Sequence, residues 1–360
     1  MPNEEQRLKS LLRTVAQQNG SDLHLGVARY PTMRLDGKLY PLSQDSILTP
    51  EDTQALSDVL LTESNKKKLI ADGQVDFSYN FEDKVRFRTN VFFQKGYIGI
   101  AMRLISEKIR TLEELNMPAS LCDLMNFSQG LILITGPVGH GKSTTLAAMI
   151  DYVNHNQEKN IITIEDPIEC VYIQDRSIIS QREIGQDAKS FSTALRAVFR
   201  EDANVVMIGE LRDLDTIATA MTAAETGHLI LGTLHTNDSS QTIDRIVDVF
   251  PSYQQNQMRC QLANVLLGVV SQRLISRIGG GRLPAVEIML KNHAVENLIR
   301  ENKAYQIDNV IETSLKDGMI SLDKSLLSLV QGGSITVEDA YVYAKNKDDF
   351  RNVIVGNKLK

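Results

Sequence analysis

Gly130-Leu131-Ile132-Leu133-Ile134-Thr135-Gly136-Pro137-Val138-Gly139-His140-Gly141-Lys142-Ser143 decides how this chain is read. The run Leu131–Thr135 is apolar, suits a buried strand, and is far too short to cross a membrane. The eight residues from Gly136 fit G-x-x-x-x-G-K-[ST] at every fixed position, and a helix is predicted from Lys142. Each fixed residue has a chemical reason. Glycines let backbone N–H groups curl around phosphate oxygens. The following helix adds its positive N-terminal dipole. Lys142 brings a cation to the β- and γ-phosphates, and Ser143 offers a hydroxyl to Mg²⁺. Gly136, Pro137, Val138, Gly139, His140, Gly141, Lys142, Ser143 and Thr144 are therefore predicted to bind a nucleoside triphosphate, ATP before any other. A chance glycine-rich turn is the competing reading, and it gives no reason for a strand before and a helix after.

Downstream of this loop apolar strands alternate with helices. Ile161–Ile164, Val205–Ile208 and Leu229–Leu234 read as strands; residues near Phe191–Arg200 and Asp213–Glu225 read as helices. Such alternation implies a parallel sheet with helices on both faces. Two of the strands run into acids. Val205–Ile208 leads through Gly209 to Glu210, the layout of a carboxylate that reaches Mg²⁺ or its water shell. Ile161–Ile164 leads to Glu165-Asp166-Pro167, where proline stops the strand. One of these two acids could polarise an attacking water; a solvated acid pair at a strand end is the alternative. His228 and His235 bracket the last strand. Each is open to a phosphate-sensing role or to a satisfied core position.

Upstream, Leu8, Leu11, Leu12 and Val15 fall at helical spacing, and Asn19-Gly20 stops that helix. Asp22–Val27 and Thr32–Leu39 read as strands, the second meeting the turn Asp36-Gly37. Thr49-Pro50-Glu51-Asp52 has the capping threonine, proline and acids of a helix start. Val75–Phe81, Val85–Phe93 and Gly99–Leu104 alternate as strands. Residues 1–105 are thus an α+β domain, 106–125 a linker, and 126–360 the second domain with a C-terminal helical part. Arg86, Arg88 and Arg103 lie on strands of the first domain. Solvation or edge pairing is their ordinary fate, and a reach into a nucleotide site is the sharper one. Beyond Gln254, Met258, Leu262, Val265, Leu266 and Val269 predict one helical stripe, followed by Ile278-Gly279-Gly280-Gly281 and a strand at Ala285–Leu290. Thr336-Val337-Glu338-Asp339 reads as another helix start.

Composition narrows the function further. The formal net charge of −6 speaks against a general nucleic-acid binder. Cys122, Cys170 and Cys260 are scattered, form no C-x-x-C pair, and read as small buried apolar residues of a chain in a reducing compartment. No signal-peptide core follows the charged N-terminus, so a cytoplasmic location is expected.

Several ordered motifs together resemble the secretion-ATPase superfamily, and within it the type IV pilus retraction (twitching motility) ATPases. Ser21-Asp22-Leu23-His24-Leu25 and Arg34-Leu35-Asp36-Gly37-Lys38 resemble that family's opening, and Arg86-Phe87-Arg88-Thr89-Asn90-Val91-Phe92 its arginine strand. Ile164-Glu165-Asp166-Pro167-Ile168-Glu169 resembles its aspartate box, Gly209-Glu210-Leu211-Arg212-Asp213 its Walker B motif, and Thr226-Gly227-His228 through Leu234-His235-Thr236-Asn237 its histidine box. The resemblance implies an α/β, RecA-like phosphate-loop ATPase domain with a smaller, PAS-like α+β N-terminal domain, assembled as a hexameric ring. It implies Glu165 as the residue that activates water. Glu210 would be the acid on the Mg²⁺ side, directly or through water, with His228 and His235 near the nucleotide. It implies that one or more of Arg88, Arg103 and Arg86 act in trans on a neighbour's ATP. It implies a homo-hexamer peripheral to the inner membrane at the pilus base, acting on a pilus platform protein, with room for a second retraction ATPase as partner.

Three residues depart from that pattern. His140 stands where serine is usual, Lys95 where the N-terminal strands commonly carry arginine, and Glu296 where the motif at Ala294–Glu301 usually has arginine. The absence of a four-cysteine zinc site favours retraction over a pilus-assembly or type II secretion motor. That related motor, and an accessory ATPase with little activity of its own, are the alternative functions.

Overall fold

Leu8, Leu11, Leu12 and Val15 recur at helical spacing because they pack into one core: all four are buried on helix α1 (Pro2–Gln17). The computed structural model describes residues 2–18, 20–35, 37–82, 85–105, 109–348 and 350. Asn19 and Asp36, expected at turns, and residues 106–108 of the expected linker lie outside the described residues. Two compact units emerge, Met1–Lys108 with Pro167–Val171, and Ile109–Asp166 with Tyr172–Lys360.

The first unit is a six-stranded sheet with helices. Its strands are β1 (Asp22–Leu25), β2 (Thr32–Leu35), β3 (Lys38–Pro41), β4 (Gln74–Phe81), β5 (Val85–Gln94) and β6 (Tyr97–Ile105), in the order β3-β2-β1-β6-β5-β4. All neighbours are antiparallel. Helix α2 (Pro50–Leu60) starts at the Thr49–Asp52 capping box with Pro50 in its first turn. Helix α3 (Glu63–Asp72) follows and ends at Gly73 in the left-handed region. The apolar pattern does not foreshadow α3, since Leu69 is its one buried residue.

Side-chain alternation divides that sheet into two chemistries. Leu23, Met33, Met102 and Phe77 share one face with Val91 and Phe87 and are buried in the core with α1 and α2. The other face carries a cross-strand row, Arg34–Asp22–Arg103–Arg88–Ser78. Lys95 is not a strand residue. With Gly96 it forms the two-residue turn of the β5–β6 hairpin, both at positive φ.

The second unit is built on a seven-stranded sheet. Helix α4 (Ser120–Leu124) leads to β7 (Gly130–Thr135) and α5 (Lys142–Asn156). Next come β8 (Asn160–Glu165), β9 (Ile178–Glu183), α6 (Phe191–Val198), β10 (Val205–Ile208), α7 (Leu214–Glu225) and β11 (Leu229–Leu234). The chain continues through α8 (Ser239–Asp248), α9 (Ser252–Val265), β12 (Leu266–Ser276) and β13 (Arg282–Leu290) to α10 (His293–Arg300), α11 (Ile307–Thr313), α12 (Leu322–Gln331) and α13 (Val337–Tyr343). Strand order is β13-β12-β7-β11-β10-β8-β9, parallel throughout except for the antiparallel edge strand β13. Leu131, Leu133, Ile162, Ile164, Val206, Ile208 and Ile230 join α6, α7, α8 and α9 in one core. The alternating residues Ile132, Ile134, Ile161, Val205 and Met207 are equally buried on the opposite face. Burial on both faces explains why these strands read as unbroken apolar runs.

Two expectations need correction here. The stripe from Met258 to Val269 is not one helix: α9 ends at Val265 and β12 begins at Leu266. Leu266-Leu267-Gly268-Val269-Val270 is buried whichever way it winds, and a short apolar run does not carry its own period. Cys260 is exposed on α9 rather than buried, and Cys122 and Cys170 are half-buried.

Candidate nucleotide site

Parallel pairing puts the carboxyl ends of β7, β8, β10 and β11 along one edge of the sheet, and the expected chemistry gathers there. The loop after β7 turns through Gly136, Gly139 and Gly141, all at positive φ. At Gly136 a side chain has no room, because a Cβ would come within 2.5 Å of the Gln272 carbonyl oxygen. Gly141 then caps α5, so Lys142, Ser143 and Thr144 form the helix's first turn. Ser143 and Thr144 are exposed there, while Lys142 is buried.

The Lys142 ammonium donates to Gly136 O at 2.8 Å, Pro137 O at 3.0 Å and His235 Nδ1 at 3.1 Å. Nδ1 of His235 is thus an acceptor, and Nε2 carries the proton that faces Glu210 Oε2 at 3.3 Å. Arg212 meets the same carboxylate oxygen at 2.6 Å. Burial alone would raise the pKa of Glu210, but Arg212 and His235 outweigh it and hold the carboxyl below its ordinary range. Lys142, His235, Glu210 and Arg212 therefore form one continuous polar chain across the ends of β7, β11 and β10.

Glu165, the last residue of β8, is buried. Thr163 Oγ1 donates to its Oε1 at 2.6 Å, and Gln181 Nε2 donates to the same oxygen at 3.3 Å. Asp166, by contrast, is exposed. The backbone locks these strand ends together: Gly209 N–H donates to Ile164 O, Leu211 N–H to Thr233 O, and Thr233 Oγ1 to Gly209 O. Ser143 and Glu210 are both hard oxygen donors of the kind Mg²⁺ accepts, one an exposed hydroxyl and the other a carboxylate held ionised. Among the described residues no group of three or more His, Cys, Asp or Glu could cage a metal by itself. A cation at this edge would therefore draw most of its ligands from phosphate and water.

His228 is not part of this edge. It precedes β11, whose six residues separate it from His235 by about 23 Å. Its Nδ1 lies 3.1 Å from Ala223 O, its ring meets Phe199 edge-on at 5.5 Å, and its carbonyl accepts from Gly130 N–H. The two histidines of one motif thus stand at opposite ends of the sheet within a chain. In the first unit, Arg103 Nε donates to Asp22 Oδ1 at 2.9 Å, Arg88 faces Glu169 at 3.8 Å, and Arg86 lies one pleat further along the same face of β5. Arg103 remains 70% exposed, so its guanidinium is open to a further partner.

Residues that the motifs do not flag complete the site. Gln272 of β12 is buried; its Oε1 accepts from Thr145 Oγ1 at 2.7 Å and its Nε2 donates to His140 O at 2.8 Å. Thr135 Oγ1 donates to Ser271 Oγ at 2.9 Å, and Arg273 donates to Asn237 O and Oδ1. The signal for these was a polar Ser271-Gln272-Arg273 inside an otherwise apolar run. Glu296, the reversed charge on α10, is met by Lys291 at 3.3 Å, His293 at 3.4 Å and Arg300 at 3.7 Å. Burial opposes its ionisation, yet Lys291, His293 and Arg300 prevail and keep its pKa below the ordinary value.

A sheet edge so furnished belongs to a phosphate-loop ATPase. The chain is a member of the family described as type II/IV secretion system protein, which it matches over residues 4–282. It is 43% identical over 343 residues to the type IV pilus retraction ATPase PilT of Pseudomonas aeruginosa, covering 95% of this chain and 99% of that one. It is 41% identical over 340 residues to the twitching motility protein of Neisseria gonorrhoeae, covering 94% and 91%. A crystal structure of the pilus retraction motor PilT with bound ADP superposes with a TM-score of 0.88 at 44% identity, covering 95% of this chain and 98% of that one. The α/β ATPase fold expected from the motifs is the fold of these relatives.

Proposed function

We propose that this chain is a motor ATPase that powers type IV pilus retraction, working as a ring of six copies on the cytoplasmic side of the inner membrane. The observation that carries the enzymatic part is the polar chain from Lys142 through His235 to Glu210, with buried Glu165 beside it. Relatives similar over nearly the full chain carry the biological part. No helix among the described residues is long and apolar enough to cross a membrane.

In this reading the glycine loop and Lys142 hold the β- and γ-phosphates, which compete with Gly136 O, Pro137 O and His235 for the lysine's protons. Ser143 and Glu210 would hold Mg²⁺, Glu210 through water. The ion, when bound, neutralises phosphate charge. Glu165 aligns a water against the γ-phosphorus and accepts its proton. The new bond is from water oxygen to phosphorus, the bond broken is to the β–γ bridging oxygen, and ADP and phosphate leave. Thr163 and Gln181 fix one carboxylate oxygen so that Glu165 cannot swing away. A neighbour's arginine from the Arg86, Arg88 and Arg103 strands meets the developing charge in trans. Successive firing around the ring moves each N-terminal unit against the next copy's ATPase unit and so drives a pilus platform protein.

Glu165→Gln is expected to bind ATP normally and to release phosphate at least about a hundredfold more slowly. Hydrolysis at the parental rate would remove Glu165 from this role. In cells, loss of the gene is expected to leave surface pili in excess and twitching absent. Bare cells would instead indicate an assembly or secretion motor.

A further inference from the structure

The phosphate loop leans on an uncovered strand edge. β7 ends at Thr135, opposite Ser271, but β12 runs on to Ser276. From Gln272 onward, among the described residues, the β7-facing side of β12 has no strand beside it, and its backbone groups need other partners. The loop supplies one of them. Leu274 N–H donates to His140 Nδ1 at 3.0 Å, while Gln272 O, against which Gly136 packs, accepts from Arg273 Nη1 at 3.0 Å. On its other side Leu274 is paired with Pro284 of β13. Two further bonds close the contact, Gln272 Nε2 to His140 O at 2.8 Å and Arg282 Nη1 to Gly139 O at 3.2 Å. These last two use loop carbonyls, which any residue provides. The imidazole bond is particular to histidine at this position. The same ring packs edge-on against Tyr343, at the end of α13, with centroids 6.2 Å apart.

We propose that His140 is a positioning residue for the nucleotide: its imidazole acceptor caps the Leu274 amide and holds the phosphate loop against β12 in the curve that receives the triphosphate. The proposal rests on the reading of this loop as the ATP site and adds the element that shapes it. The surroundings suit an acceptor. Burial pushes the His140 pKa down, and Arg273 of β12, Arg282 of β13 and Lys142 of α5 all oppose a positive ring. The titratable Tyr343 of α13 also packs against it. A neutral ring keeps Nδ1 able to accept, which the bond to Leu274 requires.

Steady-state ATP hydrolysis and equilibrium ATP binding by the purified full chain test this. His140→Ala is expected to raise KM and Kd for ATP about threefold to tenfold with kcat within about twofold, because one bond that shapes the binding loop is lost while the water-activating groups stay. His140→Asn puts an amide oxygen where Nδ1 stood and is expected to restore both constants. His140→Gln places its oxygen one bond further out, where it misses Leu274, and should resemble alanine. This Asn–Gln contrast decides the matter even if the alanine variant does not fold. Parental constants in His140→Gln, or no rescue by His140→Asn, would overturn the proposal while leaving ATP binding intact. A parental chain that bound no ATP would sink the reading of the site and this proposal with it.

Discussion

The two ends of strand β11 carry the same residue type and opposite assignments. His235, at the carboxyl end, bridges Lys142 and Glu210. His228, at the amino end, is tied to Ala223 O and Phe199, the ordinary partners of a structural histidine. The difference follows from parallel pairing. At the carboxyl end, loops leave the strands toward helix N-termini, which concentrates positive dipole, glycine and acids there. At the amino end the helices arrive, and their C-terminal turns offer carbonyls that a ring N–H satisfies. One motif therefore spans both edges of the same sheet.

The sharpest way to break this comparison is to remove each histidine alone. His235→Ala is expected to lower kcat by roughly tenfold to a hundredfold, since it disconnects Lys142 from Glu210. His228→Ala is expected to keep kcat within about twofold while costing about 1 kcal/mol of stability, from one hydrogen bond and a ring contact. Chemical denaturation beside single-turnover hydrolysis separates the two. A large kcat loss in His228→Ala at unchanged stability would show that ring assembly brings this end of the sheet to a neighbour's nucleotide.

A smaller effect should appear with pH at the carboxyl end. The folded pKa of His140 lies below the unfolded value near 6.5, so the unfolded chain takes up a proton first. Stability from this group is whole above about pH 6.5 and is lost as pH falls through the folded pKa, with a slope of at most about 1.4 kcal/mol per pH unit. Other titrating groups are common to both chains, so the quantity to measure is the Tm of the parental chain minus that of His140→Asn between pH 8 and 5. A difference that does not fall toward acid would contradict the assignment of a neutral ring. The smallest change is expected away from both ends. Glu296→Arg replaces a carboxylate held by Lys291, His293 and Arg300 with a like charge far from the nucleotide edge, which should leave ATP turnover unaltered. Its effect on twitching in a complemented strain then reports coupling rather than catalysis.

Much of the carboxyl edge was legible beforehand because its residues are local in sequence. Gly136–Ser143, Ile164-Glu165 and Ile208-Gly209-Glu210 each combine an apolar run with the polar residue that ends it, and a strand of fixed direction delivers that residue to a known edge. Helix α2 was legible from four residues, since capping is also local. Other features were not. Nothing in Val265–Val270 distinguishes the helix from the strand that replaces it at Leu266, because burial on all sides erases the period. Lys95 looks like a strand residue until Gln94 is seen paired with Tyr97.

The sequence by itself determined that a triphosphate loop, two carboxylates and a histidine-bracketed strand occur in the order of a secretion ATPase, because each is a short pattern with its own chemistry. Only the tertiary structure decided which partners those residues keep. That β12 lies beside β7, so that Gln272 and Leu274 brace the phosphate loop through His140, depends on pairing between residues about 135 positions apart. That His235 meets Lys142 and Glu210 while His228 meets Ala223 and Phe199 depends on strand direction and register. Pattern is written along the chain, whereas partners are set by which edges of the sheet are left uncovered when it folds.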